Sequence, residues 1–243
     1  MRPLPPDNHV HSQWSWDTTT GDMEATCARA ARIGLPSIAF TEHVDHTAWQ
    51  ATHAEELPES WTRHGVVDGR IVVPAFDTEG YLAEIERCRH LFPELRILTG
   101  VELGEPHWHA DSVGRLLASG SFTRVLASVH SAVVGEDCVD SSLHYRYVPL
   151  AEVELDVSSF EEQFRHVLGA VRDAGKVLEF NTRVPLPDLV LRWWHEVGGE
   201  AISFASDAHC PEALASGFRE AVALAEATGF RPASDPLDFW TRI

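Results

Sequence analysis

Residues 7–17 read DNHVHSQWSWD: two histidines one residue apart, closing a short apolar run, with an aspartate six residues beyond the second. In an extended chain the side chains at i and i+2 point to the same face, so His9 and His11 can grip one cation. Alone, an H-x-H pair is equally a surface pair. The positions of the chain's other histidines and carboxylates decide between the two.

Outward from that stretch, short β-branched runs alternate with longer segments of helical period. SIAF (37–40) follows MEATCARAARIG, RILTGVEL (96–103) follows TEGYLAEIERCRHLF, and RVLASVH (124–130) follows ADSVGRLLASG. KVLEFNT (176–182) follows SFEEQFRHVLGAVRDAG, AISFASD (201–207) follows LPDLVLRWWHEVGG, and PEALASGFREAVALAEATG reads as a last helix. Gly34, Gly120 and Gly175 stand where left-handed C-caps are expected. Strand–helix alternation of this kind argues for parallel β-structure with crossover helices. No glycine-rich nucleotide fingerprint follows any strand. The stretches 44–75 and 131–158 read as irregular.

The strand ends carry the chemistry. His9 and His11 end the first run, His43 ends the second in AFTEH, and Glu102 the third in TGVE. His130 ends the fourth in LASVH, and Asp207 with His209 ends the last in FASDAH. In a (β/α) barrel the strand C-termini line one mouth, so groups scattered over the chain would converge there. Imidazole nitrogen with carboxylate oxygen suits Zn, Mn or Fe, and the absence of thiolate disfavours a cysteine-rich structural zinc. Cations sharing a bridging carboxylate can activate water and clamp a phosphoryl group. Singly, each residue has a plainer reading: His43 and His130 as capping or core histidines, Asp207 and His209 as a turn before Pro211. Chance would have to place all of them at strand ends. His107 and His109 form a second H-x-H but open a helix-like segment, and His46, His53 and His64 read as solvated loop residues. Trp193 and Trp194 read as core. Arg183, after EFNT, is placed either to hold a phosphate or to form a surface ion pair.

Composition bounds the rest. The 243 residues can bury one sizeable core and are read as one domain, 1–243. The formal charge of −18 argues against a nucleic-acid or anionic-membrane surface, though not against a small anionic substrate met by metal cations. Cys27, Cys88, Cys138 and Cys210 form no C-x-x-C pair and are expected as free thiols in a reducing cytoplasm. MRPLPPDNH has no apolar core of a signal peptide, and no run approaches a membrane span, so a cytoplasmic protein is expected.

In DNHVHS, IAFTEH, TGVELG, LASVHS, LEFNTR and SDAH together, the chain resembles the PHP (polymerase and histidinol phosphatase) superfamily, and most closely its monofunctional histidinol-phosphatase branch. The resemblance implies an α/β fold, a distorted seven-stranded (β/α) TIM-like barrel. It also implies two or three divalent metals (Mn, Zn or Fe) at the strand C-termini. Carried over, His9, His11, Glu102 and Asp207 would hold one metal. Glu102 would bridge to a second, bound also by His130, and Asp17, His43 and His209 would hold a third. The implied activity is hydrolysis of a small phosphomonoester by a metal-activated hydroxide, with L-histidinol phosphate as the expected substrate; Arg183, from its place after EFNT, is the expected substrate-binding residue. A nucleotide or sugar phosphate is the alternative substrate, and a metal-binding protein of impaired turnover the alternative function. The implied partners are that small substrate and a possible second copy, with no nucleic acid or membrane. One feature departs from the family: no G-H-x-D-like strand end lies between His130 and Asn181. Six strand candidates are found rather than seven, as if one β/α unit were missing between about 140 and 160, and neither His144 nor His166 stands at an evident strand end.

Overall fold

The computed structural model describes residues 3–51, 57–134, 137–140, 156–235 and 237–243. Six strands form its frame: β1 Asp7–Val10, β2 Ser37–Val44, β3 Arg96–Gly104, β4 Arg124–Ser128, β5 Leu178–Asn181 and β6 Ala201–Ala205. They pair in parallel, β1 with β2, β2 with β3, β3 with β4, and β5 with β6. The two halves meet where the His11 N–H donates to the Ala208 carbonyl at 2.9 Å and the Asp207 N–H to the His9 carbonyl at 2.9 Å. The two sheets therefore follow one curled arc whose parallel strands run β4-β3-β2-β1-β6-β5, the distorted barrel expected, with the six parallel strands read from the sequence. Trp240–Arg242 adds an antiparallel strand on β6. Among the described residues nothing pairs β4 with β5. The proposed missing unit and His144 fall mostly on residues 141–155, outside the described residues.

Local signals set the helices. In α1 (Met23–Ile33) the Asp22 carboxylate accepts the Ala25 N–H, and Gly34 closes the helix at φ 74°. Its buried stripe of Met23, Cys27 and Ala30 packs on Ile38 and Phe40 of β2, and on Tyr81, Ile85 and Cys88 of α2 (Thr78–Leu91). A second core joins Phe180 and Phe204 of β5 and β6 to the helix Asp188–Glu196, whose Trp193 and Trp194 are buried as expected. Both cores lie under strands whose C-terminal ends carry the histidines, so burial of the strands fixes where those ends point.

Four local expectations change. Gly120 is extended (φ −154°, ψ 169°), not a left-handed cap, and glycine is needed there because a Cβ would stand 2.8 Å from Thr78 Cγ2. The last helix covers only Phe218–Ala227, since Gly217 at φ 72° breaks it from the turn Pro211–Ala213. Ser131–Val134 and Asp137–Asp140 pair antiparallel where irregular chain was expected. Within 44–75 lie the helical turn Glu59–Thr62 and a hairpin of Val66–Val67 with Arg70–Ile71. No helix among the described residues is long and apolar enough to cross a membrane.

Candidate metal centre

The parallel arc delivers its strand ends to one point. His9 Nε2 lies 2.9 Å from His11 Nε2, 3.1 Å from Glu102 Oε2 and 3.8 Å from Asp207 Oδ1. His11 Nε2 lies 3.5 Å from Glu102 Oε2 and 3.2 Å from Asp207 Oδ1. Four donors each about 2.1 Å from a single ion at tetrahedral angles stand about 3.4 Å apart. His9, His11 and Glu102 thus already have the spacing of a coordination shell, with Asp207 beside both histidines. Glu102 turns its other oxygen outward, 3.2 Å from His130 Nε2, and the Ser128 hydroxyl donates to that oxygen at 2.6 Å. Asp17 Oδ2 stands 3.6 Å from His43 Nε2 and 3.3 Å from His209 Nε2. Every residue expected as a ligand is therefore in one cluster, Asp17 included. Among the described residues, His130 and Glu102 have one further imidazole beside them, that of His43, whose Nδ1 lies 3.3 Å from Glu102 Oε2.

Residues that the sequence reading passed over hold these rings in place. Glu179 on β5 accepts from His9 Nδ1 at 2.9 Å, and Asp45 from His130 Nδ1 at 3.0 Å. Asp45 is itself held by the Trp16 indole N–H at 2.8 Å. Each carboxylate commits a ring proton to Nδ1 and leaves Nε2 to face inward. Glu105, buried after β3, accepts the backbone N–H groups of His130 (2.5 Å) and Ser131 (2.8 Å) and so fixes the chain at the end of β4. Gly104 leaves room for this packing, since a Cβ there would come 2.1 Å from Asp45 Oδ1. Two of these residues sit at spacings that could have signalled them, Asp45 two after His43 and Ser128 two before His130. Glu105 and Glu179 carry no such local sign.

The electrostatics fit a cation. Burial works against ionised carboxylates, yet His43 and His209 hold Asp17 below the usual range, and His9 and His43 hold Glu102 well below it. Asp207 is likewise depressed against burial, by His11 and His9. Against the same burial, Glu179 and Glu102 raise His9 well above its ordinary value, and Asp17 and Glu102 raise His43. Asp45 and Glu102 lift His130 to about 11. His11 is the exception: burial, with His209 and His43 close by, puts it well below the ordinary value. Ionised Glu102, Asp207 and Asp17 around a neutral His11 make this point a seat for positive charge. The buried atoms Asp17 Oδ1 and His43 Nδ1, which have no hydrogen-bond partner, call for the same thing.

The other histidines divide as follows. His109 contacts the Thr47 hydroxyl at 2.9 Å and has His46 beside it, so the second H-x-H pair supports a loop and stays out of the cluster. His107 lies against Trp108, and His64 near the Trp16 carbonyl at 3.3 Å. His166 is exposed on the helix Glu161–Asp173, and His53 lies outside the described residues. Arg183, half-exposed, reaches the rim of the centre: its Nη1 is 2.5 Å from His209 Nδ1 and 3.4 Å from Asp207 Oδ1.

Comparison with known proteins gives one family and one fold. The PHP domain family model matches residues 7–228. No curated protein matches the sequence. Among solved structures, histidinol phosphate phosphatase from Lactococcus lactis subsp. lactis, complexed with zinc, L-histidinol and phosphate, is similar at a TM-score of 0.72. It is 18% identical, with 98% of this chain and 99% of that one covered. A Listeria monocytogenes protein described as a candidate histidinol phosphatase is similar at a TM-score of 0.67 and 15% identity, over 88% of this chain and 99% of its own.

Proposed function

The chain belongs to the PHP domain family, and from that premise we propose that it is a metal-dependent phosphatase of a small phosphomonoester, with L-histidinol phosphate the first substrate to test. One observation carries the reading: His9, His11 and Glu102 converge at coordination spacing, with Asp207 beside both histidines and Glu102 facing His130 on its other side. The likeness to the lactococcal structure, whose complex holds zinc, L-histidinol and phosphate, supports the substrate.

Divalent cations held there supply Lewis acidity toward phosphoryl oxygens and lower the pKa of water. The chain's own part is positioning and charge. His9, His11, Glu102 and Asp207 would hold one cation, Glu102 and His130 a second, and Asp17, His43 and His209 a third. The Arg183 guanidinium, at the rim beside Asp207 and His209, is placed to pair with a phosphoryl oxygen by a charge-assisted hydrogen bond. Ionised carboxylates and committed Nδ1 protons mean that little rearranges when charge develops on the substrate.

The test is phosphate release by protein reconstituted with Mn, Zn or Fe, from L-histidinol phosphate and a panel of nucleotide and sugar phosphates. Turnover of the first above the others is expected. Release from none of them, with metal bound, overturns the phosphatase reading in favour of a metal-binding protein without turnover.

A further inference from the structure

We propose that Ser15 and Glu42 are positioning residues of the metal centre, a hydroxyl–carboxylate relay that fixes the proton of His11 on Nδ1 and turns its Nε2 lone pair inward. The inference rests on reading the cluster as a metal centre, and it concerns two residues that hold no metal themselves.

Ser15 Oγ has three polar neighbours: Glu42 Oε2 at 2.7 Å, His11 Nδ1 at 2.9 Å and the backbone N–H of His43 at 3.0 Å. The hydroxyl has one hydrogen to give. The His43 N–H can only donate. Glu42 accepts at both oxygens, since the Ser12 N–H at 2.9 Å and the Ser12 hydroxyl at 2.6 Å favour its ionised form against the burial that raises its pKa. The Ser15 hydrogen therefore goes to Glu42, and the remaining lone pair of Oγ receives a hydrogen from His11 Nδ1. Ser12, Ser15, Glu42 and His11 are all fully buried, so no solvent can stand in for any member.

The consequence is chemical. A neutral imidazole carries one N–H. With that hydrogen on Nδ1, the Nε2 lone pair points at the space between His9, Glu102 and Asp207. With it on Nε2, His11 would instead donate to Asp207 Oδ1, 3.2 Å away, and that internal hydrogen bond would use up two metal donors at once. Two other imidazoles of the cluster meet a carboxylate directly through Nδ1, His9 with Glu179 and His130 with Asp45. Among the described residues no carboxylate contacts His11 Nδ1, and Ser15 extends Glu42 to it. Partners of metal-ligating histidines are typically worth 10- to 100-fold in metal affinity.

The experiment compares wild type with Ser15→Ala and Ser15→Thr. Zinc affinity is read by chelator competition, and the His11 tautomer by long-range 1H–15N correlation in the metal-free protein. Ser15→Ala should bind zinc about 10- to 100-fold more weakly and move the His11 proton to Nε2. Ser15→Thr, which keeps the hydroxyl, should restore both. A residue that merely braces the loop would not move the tautomer. Should Ser15→Ala fail to fold, the wild-type tautomer still decides, since an Nε2–H form of His11 there overturns the relay. If wild type takes up zinc and Ser15→Ala matches it in affinity and tautomer, the relay fails and the metal reading stands. If wild type takes up no zinc, the metal reading itself fails.

Discussion

Protonation of the metal-free centre sets how its metal affinity must vary with pH. Of the four donors at the first position, Glu102 and Asp207 are held ionised and His11 is held neutral, whereas His9 is raised well above its ordinary value by Glu179 and Glu102. A cation entering there displaces one proton, the one His9 carries on Nε2. From about pH 7 upward the dissociation constant should therefore fall about tenfold per pH unit, or about 1.4 kcal/mol, until His9 titrates. Filling the remaining positions adds the protons of His130 and His43, which are also raised, so complete loading should release more protons than the first cation alone. Isothermal titration of chelator-stripped protein with substoichiometric zinc, in Tris and in HEPES at matched pH, gives the proton count from the difference in apparent heat. A slope of two protons for the first zinc would mean that His11 enters protonated and would refute the neutral assignment. A flat profile would refute the displacement of His9 and, with it, the geometry drawn for the first position.

Asp207→Asn removes one of four donors and its charge, so metal affinity should fall by more than the 10–100-fold of an outer partner, with activity lost and the melting curve of the metal-free protein retained. Arg183→Ala should leave metal content unchanged and lower kcat/KM about 10- to 100-fold, the worth of a hydrogen bond from a charged group; unchanged kcat/KM would remove Arg183 from the substrate site. Metal-free protein should lose stability as pH rises above about 6.5, where the raised His9, His43 and His130 give up their protons, and as pH falls below about 4.5, where the depressed carboxylates Asp17, Glu102 and Asp207 are protonated. Between those limits His11, held neutral, costs stability toward lower pH, and the raised Asp7 and Glu42 return some of it. Thermal melts with chelator at pH 6 and pH 9 check the sign, and a higher Tm at pH 9 would contradict it. Gly104→Ala should cost about 1–3 kcal/mol by driving a Cβ against Asp45, read in a denaturant melt.

What could be read from the chain was whatever repeats with a period or stands at a strand end. The six parallel strands and the candidate ligands His9, His11, His43, Glu102, His130, Asp207 and His209 follow from that rule, because an apolar run stops where it leaves the core and the next side chain faces the mouth; Asp17, off any strand end, comes only from the family resemblance. Gly120 misled because glycine has two uses, a positive φ and a close approach, and the sequence does not say which; the nearness of Thr78 makes it the second. Gly217 misled in the opposite sense, as a good helical period on either side of it concealed the left-handed break. Glu105 and Glu179 were invisible because their partners, the backbone of His130 and the ring of His9, come from other strands.

The residues that escaped share a task that explains why sequence order hides them. His9 and His130 send Nδ1 outward to a carboxylate directly and His11 does so through the Ser15 hydroxyl, and none of these carboxylates is adjacent in the chain to the ring it orients. Glu179 reaches His9 from β5, Glu42 reaches His11 through Ser15 from β2, and Asp45 reaches His130 from just beyond β2. Orientation of the rings is thus a property of the curled sheet and exists only once β1, β2, β4 and β5 are assembled. A strand slipped by one residue would turn Glu42 or Glu179 to the opposite face and release a ring even if every ligand kept its place in the sequence. The candidate ligands are therefore local information, whereas the inward aim of Nε2, on which the proposed metal binding rests, is tertiary.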